Sequence, residues 1–354
     1  MFGKLIEILK ADPRKIVFTE GTDPRILEAS ARLLSGTFLT PVLVGKVEEI
    51  QAAAEKDGFN IRGAEIVDPA TYPGMDAMVE KMVELRKGKM TPDQCREALL
   101  QNNYFGTMLV KMGEADCLLG GATYSTADTV RPALQLIKTK PGNTVVSSCF
   151  IMVREGVGGN EVLAMGDCAI NIEPTEDELV EITREVAGCA RVFGIEPKVA
   201  MLSYSTKGSG SGPNVDKVRN AYQKLMATNP DFDVDGELQF DAAVSPKVAE
   251  TKCKDSKVAG HANTFIFPEI QSGNIGYKIT QRLGGFEAYG PILLGLNAPV
   301  NDLSRGCNAQ EVYSMAIITA ALKYGAEGAV QHGPMTSWAP RERGGRKAVQ
   351  AFRA

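Results

Sequence analysis

The sequence predicts an α/β fold with largely parallel sheets, divided between two domains. Short β-rich runs alternate with helix-length segments along most of the chain, the pattern of repeated strand–helix units. At 354 residues the chain is longer than a single core usually organises. A polar, turn-rich segment, KTKPGN at 138–143, interrupts the alternation, and beyond it the pattern restarts.

In the first half, KIVFTE (15–20) reads as a strand. DPRILEASARLL follows as a helix, with Asp23 suited to the N-cap and Pro24 to the first helical position. TPVLVG (40–45) is a second strand, EEIQAAAEKDG (48–58) a helix closed by glycine, and EIVD (65–68) a third strand. Two helical stretches cover 75–87 and 92–113, the latter opened by TPDQ as a capping box with proline at its first position. CLLGGA (117–122) is a strand entering a turn, and TADTVRPALQLIKT continues as helix.

Past residue 143, VVSSCFIMV and EVLAMGDCAIN are paired strands around the turn REGVGGN, and a helix over 176–194 opens on a Thr175–Glu178 capping box. VAMLSYST (199–206) is a strand. A glycine-rich loop leads from it into the helix NVDKVRNAYQKLMATNP. ELQFDAAV alternates as a strand would, TFIFPE (264–269) is a buried strand, and GNIGYKITQRLGG (273–285) a helix. The apolar run PILLGL (291–296) is a strand that Pro299 stops, with Asn301–Asp302 starting a turn and a helix beginning near Asn308. The final GAVQHGPMTSWAPRERGGRKAVQAFRA holds the single Trp and a cluster of Arg341, Arg343, Arg346 and Lys347, and reads as a non-catalytic extension or a cloning remnant.

Composition narrows the function classes. A net charge of −4 argues against a general nucleic-acid binder, and no apolar run approaches a membrane span. The start MFGKLIEILKADPRK is not a signal peptide, so a cytoplasmic location is expected. Seven cysteines without a CxxC pair exclude a disulfide framework and a thiolate zinc site. With two histidines, His261 and His332, a Ser-His-Asp triad has few candidates, and general-base work falls to a carboxylate.

Three segments carry polar chemistry at strand ends. STKGSGSGP (205–213) looks like a phosphate loop, but Lys207 precedes its glycines, so it is no Walker motif. It is either a plain strand-to-helix turn or a cleft-rim loop offering backbone N–H groups and Lys207 to a phosphate. GGATYSTADTVRPALQ (120–135) crowds Ser125, Thr126, Asp128 and Thr129 at a helix start. There Ser125 and Asp128 form a capping box, or the hydroxyls bind an anion. Arg131 falls in the first turn or two, where the macrodipole disfavours a cation unless an anion sits beside it. APVNDLSRGCN (298–308) places Asn301, Ser304 and Arg305 before a helix, with Glu311 beyond. Asn308 and Glu311 match an N-x-x-E capping box, so Glu311 is a cap, a base, or both. Cys307 is read as a packing cysteine rather than a nucleophile.

These segments resemble the phosphate acetyltransferase (phosphotransacetylase) family. GATYSTADTVRPALQLIKT, VAMLSYSTKGSGSG, GELQFDAA, SGNIGYKITQRLGG and GPILLGLNAPVNDLSRGCN match its pattern over roughly residues 1–324. The resemblance implies two α/β domains with a substrate cleft between them, an architecture similar to the isocitrate and isopropylmalate dehydrogenases. Residues 1–143 plus 298–324 would form the first domain, 144–297 an inserted second, and 325–354 a basic tail. It implies reversible exchange of an acetyl group between acetyl phosphate and coenzyme A, with inorganic phosphate as co-product, in a homodimer. Coenzyme A is then a substrate, and neither a metal nor a redox cofactor is expected. By the same resemblance Ser304 stabilises the transition state, and Arg305, Arg131 and, more loosely aligned, Arg86 bind anions. Glu311 stands where the family usually has the aspartate that serves as base for the thiol. Phosphate butyryltransferase is the nearest alternative. A metal-dependent decarboxylating dehydrogenase and a non-catalytic acyl-phosphate or coenzyme A binder are the other classes.

Overall fold

The computed structural model describes residues 2–156 and 159–331. Its first part runs α1 (Phe2–Ala11), β1 (Arg14–Phe18), α2 (Pro24–Gly36), β2 (Leu39–Val44), α3 (Val47–Asp57) and β3 (Glu65–Val67). Then come α4 (Met75–Arg86), α5 (Pro92–Leu99), α6 (Asn102–Met112), β4 (Cys117–Gly120) and α7 (Thr126–Pro132). The second part holds β5 (Ser147–Gly156), β6 (Gly159–Gly166), α8 (Glu176–Val192), β7 (Lys198–Leu202), α9 (Pro213–Met226), β8 (Asp233–Leu238) and α10 (Phe240–Val244). It continues with α11 (Pro246–Lys252), β9 (Thr264–Ile266), α12 (Ile270–Arg282) and β10 (Glu287–Leu294). β11 (Val300–Asp302) and α13 (Ala309–Gln331) complete the described residues.

Two sheets result. One is parallel throughout, in the order β11-β4-β1-β2-β3, and the other runs β10-β5-β6-β9-β7-β8. In the second, β6, β9, β7 and β8 are parallel, and β5 is antiparallel to both β6 and β10. The chain leaves the first sheet after β4 and returns to it only as β11.

Alternation along each buried strand assigns its two faces. Ile16, Phe18, Cys117 and Leu119 pack into one core, and Val17, Leu118 and Val300 into another beneath α4, α5 and α6. The first core also takes Ile151, Val186 and Ile292 from the second half, together with Val312, Ala316, Ile317 and Ala320 of α13, so this helix joins the layers of both sheets. A third core lies under α10, α11 and α12.

The helix starts are those the cap residues dictate. Asp23 accepts the Arg25 N–H, and Thr91–Gln94 and Thr175–Glu178 form full capping boxes. Four expectations need correction. The helix expected over 92–113 breaks at Gln101, whose extended backbone lets Asn102 start α6 with its amide on Thr19 O (3.0 Å). Helix beyond α7 passes into a π-helical turn at Ala133–Ile137, because Pro132 has no N–H to continue the ladder. ELQFDAAV is not one strand: β8 ends at Leu238 and Phe240–Val244 is α10. Asn301–Asp302 do not begin a turn, since Val300–Asp302 pair with Leu118–Gly120 as an edge strand, and α13 runs on to Gln331. His332, Trp338, Arg341, Arg343, Arg346 and Lys347 lie outside the described residues.

Candidate active site

In a parallel sheet the polar groups at strand C-termini meet where the strand order reverses. Here the chain proceeds from β1 through β2 to β3 and then returns to β4 on the other side of β1. The crevice between the ends of β1 and β4 holds a pocket of about 480 Å³. Its walls carry Thr19, Glu20, Asp23, Asn102, Tyr124 and Asp128, with no basic residue. This pocket therefore does not itself suit an anion. Cations stand instead on the loops beside it.

Ser304 and Arg305 are exposed on the loop between β11 and α13. Among the described residues the Ser304 hydroxyl accepts only the Gly306 N–H, at 3.3 Å, which leaves its proton available to a ligand. The Arg305 guanidinium has no partner among the described residues. Arg131 is also open: its side chain is 59% exposed and its one ionic contact among the described residues, to Asp128, is 3.9 Å away. It stands within the first two turns of a helical run that starts at Thr126 and continues through the π-helical turn to Ile137, where the macrodipole disfavours a cation without an anion beside it. Arg86 closes α4, and its buried Nε has no hydrogen-bond partner among the described residues.

Glu311 is a cap. Its Oε2 accepts the Asn308 N–H at 3.0 Å while its own N–H donates to Asn308 Oδ1 at 2.9 Å, so the capping box is complete. Its second oxygen has no partner among the described residues, and the side chain is exposed. Capping and proton acceptance are thus compatible at this residue.

Several residues expected to touch substrate are spent within the protein. Asn301 is fully buried, accepting the Leu293 N–H at 2.7 Å and donating to Thr319 Oγ1 at 2.8 Å, so it ties β11 to β10 and α13 and cannot reach a ligand. Thr126 and Thr129 each donate to Asp302, at 2.6 Å. Ser125 donates to the Asp128 carboxylate at 2.7 Å instead of capping the backbone. Lys207 is neutralised by Asp235 and the Gly236 carbonyl. The glycine-rich loop around it encloses a protein carboxylate: Glu237, 1% exposed, accepts from Gly208 N–H (2.7 Å), Ser205 (3.0 Å) and Arg219 (3.2 Å). The place a phosphate would take in such a loop is filled by Glu237.

The sequence reading missed two residues that shape this site, Arg25 and Glu20, and gave a third, Asp302, no positioning role. Arg25 grips Asp23 and donates to the carbonyls of Ala122 (2.8 Å), Arg305 (2.9 Å) and Cys307 (3.1 Å), fastening the Ser304–Arg305 loop to the loop after β4. Glu20 accepts the N–H groups of Gly121 (2.9 Å) and Thr123 (3.2 Å). Burial raises its pKa despite the hydrogen bonds from Thr19 and these amides. Asp302 is likewise raised by burial, against the pull of its two threonines. The available signal was a carboxylate at the end of an otherwise apolar strand, in KIVFTE and again in PVND. Cys307 is buried, and burial raises its thiol pKa although Arg25 opposes the shift.

The family model for phosphate acetyl/butaryl transferases matches residues 1–320. The chain belongs to that family. It is 54% identical over 321 residues to the phosphate acetyltransferase of Bacillus subtilis, covering 91% of this chain and 98% of that one. To the phosphate acetyltransferase of Staphylococcus epidermidis it is 50% identical over 313 residues, covering 87% and 94%. The crystal structure of a phosphotransacetylase from Streptococcus pyogenes superposes with a TM-score of 0.89 at 54% identity, over 91% of this chain and 98% of that chain. Family membership accounts for the α/β architecture and for polar loops at the strand ends.

Proposed function

We propose that this enzyme transfers an acetyl group reversibly between acetyl phosphate and coenzyme A, by direct thiolate attack in a ternary complex. The observation that carries the reading is 54% identity, across nearly the whole length of both chains, to a phosphate acetyltransferase. That identity favours the acetyl over the butyryl reaction. The exposed Ser304–Arg305 pair, on the loop leading into the helix start where Glu311 keeps one oxygen unpartnered among the described residues, supports the mechanism.

A thiol with a reference pKa of about 8.5 is only a few per cent thiolate at neutral pH. As the sulfur attacks the acyl carbon, Glu311 takes the thiol proton, a contribution typically worth about 10²–10⁴-fold. Charge moves onto the carbonyl oxygen, where the Ser304 hydroxyl donates. The carbon–oxygen bond to phosphate then breaks, and phosphate leaves against Arg305 and Arg131 as the hydrogen phosphate dianion, the proton taken from the thiol balancing the one it gains. One such guanidinium–phosphate contact at 4 Å is worth about 4 kcal/mol at an effective dielectric of 20, before desolvation. Arg86 adds a further cation for an anionic substrate. The protein's own groups supply each of these functions, and coenzyme A enters as a substrate. Acetyl-CoA formation from acetyl phosphate and coenzyme A tests the reading, and an absence of turnover by the folded protein would sink it.

We also propose a homodimer. Ile275 and Ile279 of α12 and Leu283 just past its end recur at helical spacing and are 57%, 52% and 85% exposed, an apolar stripe suited to a second copy of the chain. A cytoplasmic location is proposed on the seven cysteines, all free thiols, which fit a reducing compartment; recovery from the membrane fraction or medium would contradict it.

A further inference from the structure

Three of the groups assigned to acetyl transfer stand on two segments distant in sequence. Residues 120–131 follow β4 and carry Arg131, and residues 303–307 follow β11 and carry Ser304 and Arg305. The two strands are adjacent and parallel, so both segments leave the same end of the sheet. Adjacency alone does not set how the loops face each other.

One buried side chain does. Asp302, the last residue of β11, is 5% exposed and gives an oxygen to each of two hydroxyls on the other segment. Thr126 donates to Oδ2 and Thr129, itself 2% exposed, to Oδ1, both at 2.6 Å. The backbone joins in beside it, with the Leu303 N–H on the Gly120 carbonyl at 2.7 Å. Gly121, at φ +97°, leaves the space: a Cβ there would collide with Asp302 Oδ1. Burying a carboxylate is costly, and apolar residues bridging the same two loops would be at least as stable. What the carboxylate adds is direction, because each oxygen specifies one hydroxyl.

We infer that Asp302 is a positioning residue for acetyl transfer, its carboxylate holding the Ser304–Arg305 loop in register with the helix that bears Arg131. This rests on the acetyl-transfer reading above. Asp302 is not the thiol base, since it is buried and both its oxygens are occupied. It acts through Ser304, whose hydroxyl works only in the transition state, where a displacement of about 1 Å costs on the order of 10²-fold.

The test compares acetyl-CoA formation by the wild type, Asp302→Asn, the Thr126→Val/Thr129→Val pair, the corresponding Thr→Ser pair, Ser304→Ala, and Ser304→Ala combined with Asp302→Asn. Asp302→Asn and the valine pair should lower kcat by about 10–100-fold while KM moves less than about threefold, with folding intact. The serine pair restores the hydroxyls and should return kcat to within about threefold. In the Ser304→Ala background, Asp302→Asn should cost little, because the group it positions is gone. A normal kcat in folded Asp302→Asn, or an undiminished effect in the Ser304→Ala background, overturns the inference. Amide hydrogen exchange gives a readout independent of turnover. Asp302→Asn should speed exchange in 120–131 and 303–307 together, and unchanged protection in both would refute the link. An inactive wild type removes the reaction reading and the positioning role with it, while exchange still reports whether the two loops are coupled.

Discussion

Glu311→Gln separates the two roles the structure gives one residue. The cap uses Oε2 to accept the Asn308 N–H. A glutamine carbonyl makes the same bond, so the capping box survives. What is lost is a negative charge in the first turn of α13, worth about 0.3–1 kcal/mol at an exposed position, or a fall in Tm of no more than about 4 °C. The chemical cost is of another size. Removing a general base worth 10²–10⁴-fold raises the barrier by about 2.7–5.4 kcal/mol. The expected outcome is a fall of at least about a hundredfold in acetyl-CoA formation with a nearly unchanged melt. The deficit should shrink as the pH approaches about 8.5, where the coenzyme A thiol ionises without help. Asn308→Ala is the converse control, costing about 0.5–2 kcal/mol of stability by removing the cap while leaving the Glu311 carboxylate in place. Activity of Glu311→Gln within about threefold of the wild type across this pH range would refute Glu311 as the base.

Cys307→Ala should keep most activity, since the thiol is buried and burial raises its pKa; a loss beyond about a thousandfold in a folded variant would instead argue for a covalent route. Arg219→Met should weaken the protein near neutral pH and matter less in acid. In the wild type burial pushes Glu237 up, but Arg219, the Gly208 N–H and Ser205 outweigh it, and the folded pKa lies below the ordinary value. The carboxylate's stabilisation is therefore present above the unfolded pKa of about 4.5 and is lost as pH falls through the folded value. Without Arg219 stability at neutral pH should drop, and the deficit should shrink as pH falls through the folded value, read by denaturant unfolding at several pH values. A deficit that is absent at neutral pH, or that grows in acid, would contradict this. Ile279→Lys should convert a sedimenting dimer to monomer, whereas a wild type that is monomeric at micromolar concentration would end the dimer proposal.

Local chemistry made much of the fold readable in advance. Asp23, Thr91 and Thr175 mark helix starts because a side-chain oxygen satisfies backbone N–H groups within its own turn, and that relation needs no distant partner. Strands such as KIVF and PVLV were visible because both faces are buried and both must be apolar. The Asn308–Glu311 box was visible for the same local reason, and the Ser304–Arg305 loop through its resemblance to a family segment.

Tertiary structure decided where polar side chains spend their hydrogen bonds. Asn301, Thr126, Thr129 and Lys207 look like ligand contacts in sequence, because amides, hydroxyls and ammonium groups near strand ends have the right chemistry. Their partners lie far along the chain: Thr319 for Asn301, Asp302 for the two threonines, and Asp235 for Lys207. A buried polar group must be paired, and the sequence does not say whether the partner is a substrate or another part of the protein. Arg25 was overlooked, and Asp302 was not seen as a bridge, for the converse reason. One sits beside a cap and the other in an apparent turn, and their function arises only when parallel pairing brings the ends of β4 and β11 side by side. Residue type thus determined what each group can bond, and the sheet order determined which partner it meets.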